Sequence, residues 1–279
     1  MLILEVVKFM IYMSAIVVIS KYILVKTLRR LAENLDLKPK TVGDIAGYAT
    51  SVPELLTIIA SSFNGLIGTS IYNILSSNII NLIQYISTIF LNKNQRYLRN
   101  RAIRVDLILV IITILIPILL IKLDIEINIA IVPIFVILFA FFNFLNNNVH
   151  KIYLKKEDEK LEHEQEEVAE KGNRKKVVKN VIFLLISGVL LFVVGNLLGT
   201  TLEELCNTFG IPEIIIGILL GFSTSIPELI TFFESQKHHK KGEDNLLGVV
   251  EATNNLFTSN LLNLFVIQSI GIIIYIIFA

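Results

Sequence analysis

The chain is short of cysteine and of charge. Of its 279 residues one is cysteine, Cys206, and 18% are charged, against about 25% in an ordinary soluble domain. A single cysteine excludes an internal disulfide framework and a cysteine metal cluster. A net charge of +1 leaves no electrostatic footprint for nucleic acid. A cleavable leader is not expected either. The first apolar run carries Glu5 and Lys8, lacks a small-residue cleavage motif and is long enough to span.

Apolar sequence fills the space instead. Hydrophobic residues make up 54% of the chain, and the mean hydropathy is +0.70. The excess comes in blocks of roughly twenty residues separated by short charged stretches, the pattern of a polytopic helical membrane protein. Spans are predicted near 4–26, 41–63, 68–91, 104–122, 127–146, 177–199, 211–233 and 246–271. Continuous apolar runs argue against strands, because an open sheet cannot satisfy its backbone in lipid. The predicted class is an all-α transmembrane bundle of about eight spans, and a soluble enzyme is excluded.

Orientation follows from the basic residues. All but Lys8, Lys21 and Lys122 fall in the loops after spans one, three, five and seven. Those loops are assigned to the cytoplasm, which places both termini outside. The long polar stretch Lys155–Lys176 reads as a solvated linker, with regulatory cation binding as the alternative. The predicted organisation is a first repeat over 1–149 with five spans, a charged loop over 150–176, and a second repeat over 177–279 with three.

The repeats are visible directly. GYATSVPEL from Gly47 matches GFSTSIPEL from Gly221. Asn73, Ser77, Asn78 and Asn81 match Asn255, Ser259, Asn260 and Asn263. Five spans precede the lead helix of the second copy, so equivalent helices should cross in opposite directions. Inverted repeats with broken helices place a cation or substrate site near mid-membrane.

In each copy Thr-Ser-x-Pro-Glu lies inside an apolar run. Proline removes a backbone donor and displaces the carbonyl four residues upstream, that of Ala49 for Pro53 and of Ser223 for Pro227. Beside these carbonyls stand the hydroxyls of Thr50, Ser51, Thr224 and Ser225 and the carboxylates of Glu54 and Glu228. The partner helices add Ser77 with Asn81 and Ser259 with Asn263, each pair four residues apart on one face. No histidine falls within a predicted span, and every ligand atom is oxygen. That favours Ca²⁺, Na⁺ or Mg²⁺ over zinc or copper. A carboxylate at a helix centre costs about 2.5–3.5 kcal/mol or more, and two in one site repel unless a cation sits between them. Asn73, Asn78, Asn255 and Asn260 read as helix–helix glue. His238 and His239 read as solvated loop residues, Glu203 and Glu204 as helix-end acids, and Glu251, with no role assigned, as near the membrane surface.

These two segments resemble the α-repeats of the calcium/cation antiporter superfamily, most closely its sodium/calcium exchanger branch. The resemblance implies that Glu54 and Glu228 coordinate Ca²⁺ and Na⁺, together with Thr50, Ser51, Thr224 and Ser225. It adds Ser77, Asn81, Ser259 and Asn263 from the partner helices, and the backbone carbonyls of Gly47 and Gly221. It implies spans one and six as a sliding gate, no cofactor, a prokaryotic cell membrane, and no enzymatic step; it leaves a homo-oligomer open. This chain departs from the family pattern at three places. Ala49 and Ser223 stand where the family has glycine, and Asn263 where sodium/calcium exchangers have aspartate. Eight spans are present where relatives have ten. The implied function is Ca²⁺ extrusion against Na⁺. Its alternatives are Ca²⁺/H⁺ exchange and a non-transporting cation sensor or subunit.

Overall fold

The computed structural model describes residues 1–27, 30, 39–123, 128–153, 174–238 and 245–278. Every regular element among them is helical. In chain order they are α1 (Leu2–Ile19), α2 (Pro39–Thr50), α3 (Val52–Phe63), α4 (Ile67–Leu91), α5 (Arg101–Lys122) and α6 (Ile131–Tyr153). There follow α7 (Arg174–Glu203), α8 (Glu213–Thr224), α9 (Ile226–His238), α10 (Leu246–Leu261) and α11 (Gln268–Phe278). Short π-helical turns extend α1 (Ser20–Val25) and α7 (Glu204–Thr208), and a third (Leu262–Ile267) joins α10 to α11. Most of the Lys155–Lys176 segment, and His239, lie outside the described residues.

Among the described residues, seven helical stretches are long and apolar enough to cross a membrane. The crossing expected at 41–63 is broken into two helices of 12 residues, α2 and α3, meeting at Ser51, each too short to span alone. The last crossing is longer than expected. Leu246–Phe278 runs for 33 residues, about 50 Å at 1.5 Å per residue, because α10 continues through the π-turn into α11.

Local chemistry explains the ends. The Asn100 side chain accepts from Ala102 N at 2.9 Å and caps α5. Gly65, at φ 73°, ends α3 in the left-handed conformation, and Leu66 N reaches back to Ser61 O at 2.9 Å. That bond is the long closing contact of a glycine-terminated helix, and it turns the chain sharply into α4.

The bundle is apolar outside and polar inside. Ile83, Ile137 and Val189 are well exposed, while Thr50, Glu54, Asn73, Asn81, Glu228 and Asn263 are fully buried. Such an arrangement fits a lipid exterior, where helix association rests on packing and interhelical hydrogen bonds.

The two repeats interlock. α2 packs most extensively on α10, and α8 on α4. Small residues make this approach possible. A Cβ on Gly47 would stand 2.8 Å from Thr258 Cβ, and one on Gly217 would stand 2.6 Å from Tyr72 Cβ. Gly43 against Asn254 and Gly221 against Ser76 complete the same pattern one turn away. In both pairs the contacts advance together along the two chains, so the paired helices run parallel. α4 and α10 run the other way to each other: Asn78 meets Asn263 at 3.1 Å, Asn81 meets Asn260 at 3.2 Å and Tyr85 meets Thr253 at 2.6 Å. Equivalent helices of the two repeats are therefore antiparallel, which is inverted topology.

Candidate cation site

Both lead helices break at the same residue of the motif. Ser51 has φ −80°, ψ −1° and Ser225 has φ −77°, ψ −1°, at the sparsely populated bridge between helical and extended backbone. Proline follows two residues later, in the first turn of α3, where its missing N–H costs nothing. The carbonyl ends of α2 and α8 and the N-terminal turns of α3 and α9 thus meet inside the bundle. Glu54 and Glu228 occupy those first turns, where the helix dipole favours negative charge.

All ten side chains singled out in the sequence are buried together. Ser51 Oγ donates to Ser259 Oγ at 3.1 Å, and Ser259 Oγ donates to Glu228 Oε1 at 3.2 Å. Asn81 Nδ2 reaches Ser259 Oγ at 3.4 Å, and Asn263 Nδ2 reaches Ser77 Oγ at 3.5 Å. Ser225 Oγ donates to Gly221 O at 2.8 Å and approaches Ser77 O at 3.5 Å. The threonines cross over: Thr224 of the second repeat lies beside Glu54, and Thr50 of the first lies beside Glu228. Glu54 in turn lies close enough to Glu228 to repel it. The Gly47 and Gly221 carbonyls face the breaks but also accept from Ser51 N at 3.2 Å and Ser225 N at 3.3 Å.

Unpartnered oxygens define what the cluster can hold. Both carboxylate oxygens of Glu54, Oε2 of Glu228 and the Oδ1 atoms of Asn73, Asn81 and Asn263 are buried without a hydrogen-bond donor. Their amide nitrogens are engaged elsewhere, which leaves the oxygens bare. A buried acceptor without a donor costs on the order of 1–3 kcal/mol, more when charged. A hard cation satisfies several such atoms at once, and Ca²⁺ takes 6–8 oxygens.

Several residues here escaped the sequence reading. Thr57 Oγ1 donates to Glu54 O at 2.9 Å and receives Asn73 Nδ2 at 2.7 Å. Thr231 does the same with Glu228 O at 2.9 Å and Asn255 Nδ2 at 2.7 Å. The signal was available, since threonine stands three residues after the glutamate in both copies. Asn73 thus joins α4 to α3 and Asn255 joins α10 to α9, bracing the glutamate turns, while Asn78 and Asn260 join α4 to α10. Glu251 is buried, and its Oε1 receives Ser235 Oγ at 2.6 Å. Glu203 and Glu204 are exposed. The expectation of spans free of histidine fails at His150, which is buried near the end of α6 and bound to Asp106 at 2.7 Å. α6 runs on to Tyr153, past the predicted end of that span.

No curated protein matches the sequence. Among solved structures, the fold is similar to the sodium-calcium exchanger NCX_Mj soaked with 10 mM Na⁺ and zero Ca²⁺. That match has a TM-score of 0.54 and 23% identity, and covers 98% of this chain and 84% of that one. A second structure of NCX_Mj, soaked with 2.5 mM Na⁺ and 10 mM Sr²⁺, gives 0.54 and 23% over 98% and 83%. A third, with 2.5 mM Na⁺ and 0.1 mM Ca²⁺, gives 0.53 and 23% over 98% and 83%. The profile of the sodium/calcium exchanger protein family matches residues 6–146 and 179–278, which take in both repeats. The chain belongs to the sodium/calcium exchanger family.

Proposed function

We propose that this exchanger is a secondary active antiporter that moves Ca²⁺ out of a prokaryotic cell against an inward flow of Na⁺. The observation that carries the reading is the set of bare, buried oxygens drawn from both repeats, with two carboxylates and no other formal charge among them. One Ca²⁺ neutralises Glu54 and Glu228. Two or three Na⁺ can share the same oxygens, because the hydroxyls of Thr50, Ser51, Ser77, Thr224, Ser225 and Ser259 need no charge to bind them. Asn81 and Asn263 supply amide oxygens, and Gly47 and Gly221 supply carbonyls. Binding exchanges one cation load for another; no covalent bond is made or broken.

Alternation is assigned to α1 and α7. They pack on each other alongside the repeat core, and both pass into π-helical turns, a local geometry common at functional sites. With the basic loops in the cytoplasm, both termini face outward.

Radioactive Ca²⁺ uptake into proteoliposomes tests the proposal, with an imposed Na⁺ gradient compared against an imposed pH gradient. Uptake driven by Na⁺ is expected. Uptake driven by pH alone, with Na⁺ neither driving nor competing, would replace the coupling ion by H⁺ and keep the Ca²⁺ site. No gradient-driven flux with purified protein would leave the sensor or subunit reading.

A further inference from the structure

α3 and α4 carry polar side chains beyond the cation site, toward the end of the bundle opposite the basic loops. Thr57 and Ser61 follow Glu54 along α3, about one and two turns on, and Asn73 and Ser70 precede Ser77 along α4 by the same steps. The facing residues pair as rungs. Asn73 Nδ2 donates to Thr57 Oγ1 at 2.7 Å. Ser61 Oγ meets Ser70 Oγ at 2.7 Å, and Ser62 Oγ lies 3.1 Å from the same atom. These residues and the neighbouring Thr69 are all fully buried.

The column is rich in acceptors. Thr57 Oγ1 donates to Glu54 O at 2.9 Å, and Ser61 Oγ donates to Ile58 O at 3.2 Å. Ser70 is then left to donate to Ser61, and Ser62 to Ser70. A hydroxyl has two lone pairs for one proton, so each of these oxygens keeps an unused pair. Asn73 Oδ1 and Thr69 Oγ1 are buried without any hydrogen bond.

The column also carries no formal charge of its own. Glu54 stands at its inner end, and at its mouth Glu213 Oε2 is engaged by Thr69 N at 2.7 Å. The second repeat differs at one rung. Thr231 pairs with Asn255 as Thr57 pairs with Asn73, but Ser235 then meets Glu251, the counterpart of Thr69 in the aligned repeats. That column ends in a carboxylate, toward the basic loops.

We propose that Thr57, Ser61, Thr69, Ser70 and Asn73 form an outer cation station, distinct from the main site, that takes Na⁺ in preference to Ca²⁺. Calcium affinity is tuned by the charge of the ligands. The desolvation cost of an ion grows with the square of its charge, so neutral hydroxyl and amide oxygens offset it for Na⁺ and fall short for Ca²⁺. Asn73 Oδ1 is also a bare oxygen of the main cluster, and it hands the ion on toward Glu54. α7 lies against the mouth: a Cβ on Gly199 would stand 3.0 Å from Asn64 Nδ2 and 3.4 Å from Ala60 Cβ. Movement of that gate helix uncovers the column. Na⁺ from outside is held there before it reaches the carboxylates, while Ca²⁺ meets a barrier to return by the same route. The station's part in transport rests on the exchange reading and the orientation above; its preference for Na⁺ does not.

Radioactive Na⁺ binding to the purified full chain, read by scintillation proximity, tests the station without transport. Glu54→Gln with Glu228→Gln disables the main site. That double variant should still bind Na⁺ saturably, and Ca²⁺ at equal concentration should not displace it. Adding Ser70→Ala should weaken the binding about fivefold, the loss of one neutral ligand. Ser61→Ala replaces it if size-exclusion elution shows that Ser70→Ala misfolds. Absence of saturable Na⁺ binding, displacement by Ca²⁺, or binding indifferent to both serines overturns the station. In proteoliposomes, Ser70→Ala in the otherwise unmodified chain should raise the Na⁺ half-saturation on the outer side about fivefold. The maximal rate and the Ca²⁺ half-saturation on the basic-loop side should stay the same. Ser235→Ala, in the opposite column, should leave the outer Na⁺ half-saturation unchanged, and an equal rise there overturns the outer placement. If the unmodified chain exchanges no ions, the exchange reading fails while the binding measurement still decides the station.

Discussion

Asn78 and Asn260 exchange side chain–backbone hydrogen bonds across the centre of the bundle: Asn78 Nδ2 to Asn260 O at 3.2 Å, and Asn260 Nδ2 to Asn78 O at 3.1 Å. The pair lies where α4 and α10, equivalent helices of opposite direction, cross. Their amide oxygens also receive the amide groups of Asn263 and Asn81, so the crossing orients two of the proposed ligands. Asn260→Ala should therefore do more than loosen the fold. A membrane hydrogen bond is worth about 0.6 kcal/mol on average and up to about 1.7, which sets the expected loss of stability per bond. Ca²⁺ affinity, measured by titration in detergent, should fall as well. Unchanged affinity with a lowered melting temperature would make the asparagines structural alone.

Glu54→Gln and Glu228→Gln keep size but remove half of the site's negative charge. Losing a charged partner in a desolvated site costs about 3 kcal/mol, so Ca²⁺ flux should drop roughly a hundredfold in either variant. Size-exclusion elution should be unchanged. Near-normal flux in both single variants would refute a site shared between the repeats.

The serines should not be equal. Ser259 bridges Ser51 to Glu228, whereas Ser77 donates to Ile74 O within its own helix at 3.2 Å. Ser259→Ala is expected to weaken Na⁺-driven exchange more than Ser77→Ala, and both more than Ca²⁺ binding. The comparison needs Na⁺ dependence of flux beside Ca²⁺ titration; equal effects of the two variants would count against the bridge.

Ca²⁺ that joins both repeats binds only the folded state. A hundredfold excess over Kd should add about 2.7 kcal/mol of stability, visible as a raised melting temperature. Mg²⁺ should do less, since it dehydrates reluctantly and demands octahedral geometry. Glu54→Gln should abolish the Ca²⁺ effect, and equal stabilisation by both ions would indicate surface binding.

Gly47→Ala and Gly217→Ala test the interlock. Each places a methyl within 2.8 Å of a carbon or oxygen on the partner helix, and overpacking costs about 1–3 kcal/mol. Gly188→Ala is the control, because nothing lies within 4 Å of its Cβ position. Thermal unfolding should separate the first two from the third.

Much of this protein was legible along the chain. Apolar runs of bilayer length give the membrane class, because lipid demands continuous helical stretches whatever their neighbours. The duplicated Thr-Ser-x-Pro-Glu gives both helix breaks and both carboxylates, because proline acts on the backbone beside it. Asn81 and Asn263 follow from the same duplication. Thr57 and Thr231 were also within reach, three residues beyond each glutamate.

Partnership between helices was not legible. The exchange of α2 onto α10 and α8 onto α4 depends on where glycines let two backbones approach, which spacing within one helix does not encode. The bridge from Ser51 through Ser259 to Glu228 joins residues 208 apart, and Asp106 meets His150 across 44 residues on separate helices. Hydrophobicity marks the outward side of these helices, but it does not select which inward faces meet. That choice falls to close packing and to the pairing of buried polar groups, and both exist only once the helices are assembled.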